Sequence, residues 1–547
     1  QKTAYEMLRS LVGSEMCIRD SPYTKDFYYR LLTRGNCVST SAVTVRRDFI
    51  KNSAILTAST YLPIAKTAIH DQQAISLTGD EIVLSRVDIL DFMSSFQGTV
   101  ISEGHYDYEK ARLVWNGVWN KKPALIVYCE SIEDIQKAIN FSREQNLLTA
   151  VRGGGHSISG KSTCDGGIII DLSRMRKTNV DLQRKIVTVE AGCTLYDMDS
   201  KTLPHGYVVP AGVVSHTGVA GLTLGGGIGS LMRMYGLTVD NLVSVDIITA
   251  DGVLRKASLD ENPDLFWGVR GGGGNFGIVT SFTYNLRPLP NGEVIVGINI
   301  YDMKYAKEIW DFYYDYSEDM TSNVMLNAGM WNNDQTGQGY FFLGAMFIGD
   351  ENKADKALKT IKNFGKPMSD EVTKKNFLEH QQVIDKRNAH YRKYYIKGRQ
   401  IDEYNPKLTE ALMDRWSYEE GRFDTMRVVR FGGAVSEIAE SETPWVGRNA
   451  KWDIEVGGHW TNDAKTEEYT KWGRDYWKGL TPYCAERIYI NELMDEDQKF
   501  VATSYGTNYG RLVEVKNKYD PKNLFSLNGN IKPVSYTHLT LPTIYSV

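Results

Sequence analysis

Charge of either sign is scarce as a net quantity: 63 Lys and Arg face 67 Asp and Glu over 547 residues, a balance of −4. That argues against a general binder of polyanions such as nucleic acids. Six cysteines are present and none forms a CxxC pair, so neither a zinc site nor a redox dithiol is indicated. No apolar run is long enough to span a bilayer as a stable anchor. Internal repeats and low-complexity segments are missing. So are a nucleophile-elbow serine and an HExxH helix, which disfavours hydrolases. The length calls for two domains rather than one core. The one excess is glycine, 49 residues, and 11 Trp with 32 Tyr suit large cores or an aromatic-lined pocket.

Much of that glycine falls in three runs. The first is Val151–Gly160, VRGGGHSISG, where three successive residues without Cβ let the backbone approach a ligand and adopt positive φ. Consecutive bare amides form an anion-binding nest suited to a pyrophosphate. Arg152 adds charge in front of it and His156 supplies a nucleophilic imidazole behind. The second run, Gly225–Gly229, lies within Pro210–Gly252, and the third is Gly271–Gly274 in WGVRGGGGNFGIVTSFTYNL.

Together with Tyr505–Pro533, YGTNYGRLVEVKNKYDPKNLFSLNGNIKP, these motifs stand in the order and spacing of a known family. From about Ala111 to Pro533 the sequence resembles the berberine-bridge-enzyme-like FAD-linked oxidases of the vanillyl-alcohol-oxidase superfamily. The resemblance implies an α+β fold: a two-part FAD-binding domain of the PCMH type (108–290, with a C-terminal return at 488–533). Inserted between them is an antiparallel-sheet-plus-helices substrate domain (291–487). Residues 69–107 read as an N-terminal arm without clear periodicity. Short apolar runs predict buried strands at Ala124–Tyr128 and Leu148–Val151, and alternation predicts strands at Val294–Ile300 and Gly339–Gly349; Ser131 is the expected cap of a helix.

The family likeness further implies FAD joined through the 8α-methyl of its ring to His156. It places Gly153, Gly154, Gly155, Ser157 and Gly160, with Arg152, around the cofactor. Val214, Thr217, Gly218 and Gly221 follow, then Gly225, Gly226, Gly227 and Gly229. Asn241, Gly277, Ile278, Val279, Asn528 and Asn530 complete the expected set. Many members add a second link from a cysteine at the position of Val214, so a single covalent bond is expected here. Thr217 falls where the family gates oxygen access, and its small side chain leans toward direct use of O₂. No metal is expected.

Hydride abstraction needs a base near the flavin. Asp453, in KWDIEVGGHW, matches a strand on which plant relatives carry a Gln or Glu, and a strand would place Asp453 and Glu455 on one face. Tyr489 and Glu492 stand in a stretch similar to a YxNY pattern whose last tyrosine is often the base. Ile228 stands where some plant members have a substrate-contacting tyrosine. Tyr391–Lys397, YRKYYIK, reads on its own as a strand with a solvated face. The expected activity is an oxidase taking hydride from an alcohol, sugar or phenolic small molecule and passing electrons to O₂ as H₂O₂. A dehydrogenase using a quinone or protein acceptor, and a flavin carrier without turnover, are the alternatives.

Leu11–Ser21 and Val534–Thr543 read like in-frame translations of sequencing adapters and are set outside the fold. Residues 1–43 are read as adapter-like sequence and leader, and 534–547 as adapter-like. Arg46-Arg47 followed by Asp48-Phe49-Ile50-Lys51 and an apolar stretch (Ala54–Ala65) resembles a twin-arginine signal over 44–68, implying export of a folded flavoprotein. Four cysteines then remain, Cys129, Cys164, Cys193 and Cys484, free to pair in an oxidising compartment.

Overall fold

The computed structural model describes residues 69–333 and 336–534. The twin-arginine-like segment and both adapter-like strings, apart from Val534, lie outside the described residues.

Two sheets build the first part of the molecule. Leu125–Tyr128, Ile168–Asp171 and Thr149–Arg152 form a parallel core with Ile168–Asp171 in the middle. Their near-continuous apolar sequence follows from burial on both faces. The crossover helix Ile132–Glu144 is capped by Ser131, whose side chain accepts from the Asp134 amide, as its sequence foretold. Thr99–Ser102 adds an antiparallel edge against Leu125–Tyr128. The segment read as a loose arm therefore belongs to this sheet, and also holds a hairpin (Gln72–Ile75 with Glu81–Leu84) and the helix Arg86–Ser95. Four-residue strands are too short to show a period, which is why the sequence hid them.

The second sheet is antiparallel and five-stranded, ordered Leu254–Ser258, Leu242–Ile248, Ile278–Asn285, Ile186–Glu190, Thr178–Asp181. Both sheets share one hydrophobic core with the C-terminal helix Tyr509–Tyr519. That return is pinned by Lys516, whose fully buried ammonium donates to Asp520, to the Asn275 carbonyl at 2.9 Å and to the Phe525 carbonyl at 3.1 Å. Lys516→Met removes one partner of a buried ion pair and leaves Asp520 uncompensated. It is expected to cost about 3–5 kcal/mol, read as a lower midpoint in urea unfolding.

The substrate part is a seven-stranded antiparallel sheet, ordered Ser369–Asn376, Glu293–Asp302, Gly339–Phe347, Val324–Asn332, Phe423–Arg430, Trp452–Trp460, Lys393–Ile401. Helices Ala306–Glu318, Glu351–Lys362, Pro406–Arg415 and Thr466–Leu480 share a core with one face. Side-chain alternation then decides what the other face shows. On Trp452–Trp460 the residues Trp452, Ile454 and Val456 join the helix-side core, so Glu455 and His459 turn the opposite way. On Phe423–Arg430, Met426 and Val428 point into that core, and Phe423, Thr425 and Arg427 face the first part of the molecule. Among the described residues no disulfide forms: Cys129, Cys164, Cys193 and Cys484 are free thiols. No helix there is long and apolar enough to cross a membrane.

Candidate active site

A cavity of about 530 Å³ lies between the glycine loops and the open face of the seven-stranded sheet. The strand Thr149–Arg152 delivers Gly153–Ser157 directly into its wall. Gly154 packs face to face on Gly218: a Cβ on Gly154 would stand 2.5 Å from the Gly218 Cα and nitrogen. Only glycine at both positions allows that approach. The amides of Gly154, Gly155, His156 and Ser157 have no protein acceptor among the described residues. Gly221 and Gly274 also line the wall, with nothing within 4 Å of where a Cβ would be. A cradle of bare amides and uncovered backbone fits a dinucleotide's phosphates. Val214, Thr217, Gly277, Ile278, Val279 and Asn528 line the same cavity, and Asn528 Oδ1 is buried without a partner.

Several expected contacts are elsewhere. Arg152 does not face the phosphate nest. Its side chain is buried beneath the loop, paired with Asp171 and donating to the Ala111 carbonyl at 2.8 Å. It therefore anchors the loop to the neighbouring strand. Gly160 leaves room for Trp119, which would lie 2.4 Å from its Cβ. Gly225 backs onto Asn491, Gly226 onto Trp445, Gly227 onto Thr238 and Gly229 onto the Ala211 carbonyl. That run closes the wall from behind, and Ile228 alone of it reaches the cavity. Asn241 braces its own turn through the Tyr235 and Leu237 carbonyls and accepts from Arg287. Asn530 lies next to the lining residues Asn528 and Gly529, but outside the lining.

His156 lines the cavity, with its ring stacked on Trp115 at 5.0 Å and 17°. Trp115 in turn stacks on Tyr394 at 4.0 Å. Burial, and then the neighbouring His216 and His390, push the His156 imidazole well below its usual range. It is neutral at physiological pH and keeps a lone pair for bond formation. Val214 offers no nucleophile on this side.

The far wall carries the acids. Glu492 packs over Gly398, where any Cβ would meet its Oε2 at 1.7 Å. Burial, then Asp453 and Glu455, raise its carboxyl well above the usual range, and Oε2 has no partner. Asp453 is buried outside the cavity lining and is pushed up to about 8, chiefly by burial. The sequence match had favoured Asp453. Glu455, two residues along the same face, is the one that reaches the cavity, with Arg427 Nη2 at 3.5 Å from its carboxylate. Tyr489 lines the cavity as well, but its hydroxyl oxygen accepts from the Gly227 amide at 3.0 Å and Asn491 Nδ2 at 2.8 Å. Burial pushes that phenol up to about 12, so it stays protonated at neutral pH.

Tyr391–Lys397 is the clearest departure from the sequence reading. Its last charge is not solvated: Lys397 is buried and bonded to Asp497 at 2.8 Å, and Tyr394 and Ile396 line the cavity. Trp331, Phe342 and Phe423 extend this aromatic wall. Glu455 was noted only as sharing a face with Asp453, and His216, Trp115 and these aromatics were not singled out from sequence. Of the latter, His216 carried a usable signal, a histidine two positions after Val214 in a glycine-rich segment.

A phosphate cradle, a neutral histidine and an aromatic wall with carboxyl groups, all on one cavity, define a dinucleotide-dependent enzyme of small molecules. Comparison with known proteins gives the cofactor. Residues 123–258 match the FAD binding domain model, and 488–532 match the "berberine and berberine like" model. An FAD-linked oxidoreductase of Dictyostelium discoideum is 33% identical over 449 residues, 81% of this chain and 96% of that protein. (R)-6-hydroxynicotine oxidase of Paenarthrobacter nicotinovorans is 26% identical over 80% of this chain and 97% of its own length. The crystal structure of 6-hydroxy-D-nicotine oxidase from Arthrobacter nicotinovorans superposes with a TM-score of 0.74 at 25% identity. It covers 80% of this chain and 99% of that one. The chain belongs to the FAD-linked oxidoreductases with a berberine-type C-terminal region, and it is an FAD-binding enzyme.

Proposed function

We propose that this enzyme oxidises an alcohol, sugar or phenolic small molecule, with hydride leaving toward the flavin and O₂ reduced to H₂O₂. The observation that carries the reading is Glu455: a cavity-lining carboxylate beside Arg427, flanked by Asp453 and Glu492, whose burial favours their protonated forms. When bound, FAD supplies a two-electron acceptor. Glu455 is the base that takes the substrate's proton, with Arg427 Nη2 3.5 Å from its carboxylate. Glu492, protonated, donates a hydrogen bond to the substrate oxygen. Trp331, Phe342 and Phe423 exclude water and position a ring or a sugar face. His156 tethers the cofactor by one covalent bond, Val214 offering no second. The small side chain of Thr217 in the cavity lining supports direct use of O₂. Export through the twin-arginine route is part of the same reading and is supported by Arg46-Arg47 and the apolar stretch behind them.

The test is an anaerobic panel of alcohols, sugars and phenols read by bleaching of the flavin's visible absorbance. One class is expected to bleach the flavin, and admission of air to restore the colour with peroxide release. Bleaching that only a quinone reverses would replace the oxidase with a dehydrogenase; no bleaching by any compound would leave a flavin carrier.

A further inference from the structure

Two more imidazoles stand beside His156, and neither phosphate binding nor proton abstraction from substrate uses them. His156 Nε2 and His216 Nδ1 are 2.8 Å apart. The His390 ring lies 4.7 Å from that of His216 and 5.4 Å from that of His156, centroid to centroid. The ligand-capable nitrogens of all three fall within 4.8 Å of one another. Such a trio invites a metal reading. The short pair argues against it: two nitrogens on one tetrahedral zinc sit about 3.3 Å apart, whereas 2.8 Å is the length of a hydrogen bond. One ring therefore donates and the other accepts, so the tautomer of one sets that of the other.

The rest of the geometry gives the trio a direction. Trp115 stacks on His156 and holds its plane. His216 sits in a braced turn, where Asp385 accepts from the Ser215 amide and hydroxyl and the Thr217 amide donates to the Val214 carbonyl. Its other nitrogen, Nε2, is buried without a partner. His390, the third ring, is exposed. His216 thus bonds the cavity-lining His156 and lies 4.7 Å, centroid to centroid, from the exposed His390.

We propose that His216 is the positioning residue and proton acceptor for covalent attachment of FAD to His156. The inference rests on the tether assigned to His156 above. In the starting pair Nε2–H of His156 donates to Nδ1 of His216, which leaves the lone pair on Nδ1 of His156. As that nitrogen bonds to the ring methyl carbon, His156 would become a cation. It passes its Nε2 proton to His216 instead. In the net reaction one N–H and one C–H bond break and one C–N bond forms. The two electrons and two protons released reduce O₂ to H₂O₂.

The experiment compares wild type, His216→Ala and His216→Gln purified from the same cells. Total FAD and the fraction left in the acid-precipitated protein are measured, followed by incubation with FAD in air, with and without added imidazole. Both variants are expected to bind FAD but to attach it at least about a hundredfold more slowly, with imidazole restoring attachment. Glutamine keeps the volume and can accept the hydrogen bond but not the proton, so a merely structural role would leave it near wild type. Attachment at the wild-type rate in either variant overturns the proposal. So does a failure of imidazole to restore it, or a loss of FAD binding in both variants, which would make His216 a binding residue. A wild-type protein that itself gives up its FAD to acid overturns the tether, a result distinct from a tethered wild type with equally tethered variants.

Discussion

His156→Ala is expected to give a protein that is still yellow as purified but releases all of its FAD on acid precipitation, where the parent keeps it in the pellet. The two halves of that result come from different parts of the site. Non-covalent binding is carried by backbone: the amides of Gly154, Gly155 and Ser157 and the close Gly154–Gly218 contact survive the substitution. Attachment needs a neutral imidazole, and burial beside two other histidines provides one. Val214, where many family members carry a second nucleophile, supplies no link in its place. The measurement is flavin fluorescence in the pellet and supernatant, and on a denaturing gel. Flavin still bound to denatured His156→Ala protein would put the link on another side chain.

Glu455→Gln is expected to lower kcat by about 10²–10⁴-fold, while Asp453→Asn has a far smaller effect. The contrast follows from the strand. Both side chains leave the same face, yet only Glu455 reaches the cavity, and Arg427 stands beside it. Asp453, buried and pushed up to about 8, is largely protonated at neutral pH and has no access to substrate. Single-turnover reduction of the flavin by an excess of substrate reads the step directly. Equal losses in both variants would mean that the three carboxyl groups act as one unit; a loss confined to Asp453→Asn would restore the assignment made from the sequence.

The difference between those two acids shows where sequence reasoning stops. A spacing of two establishes that Asp453 and Glu455 share a face, because alternation is a property of the strand itself. Which of them is covered depends on its neighbours across the sheet: Asp453 lies between Gln400 and Val429, Glu455 between Gly398 and Arg427, none of them close in the chain. The same limit applies to Arg152, whose charge beside a glycine loop looked like a phosphate contact. Its partner, Asp171, is on a neighbouring strand. Lys397 likewise looked solvated until Asp497 came to meet it.

The sequence by itself determined the glycine cradle, the histidine behind it, the helix cap at Ser131, the cofactor class and the order of the two parts along the chain. Each of these is a local property: bare backbone, a capping side chain or a motif at fixed spacing. Tertiary structure alone decided which acid faces the cavity, the aromatic wall formed by Trp331, Phe342 and Phe423, and the meeting of His156 with His216 and His390. Burial and charge at those positions are set by neighbours distant in the chain, and no window along the sequence contains both partners.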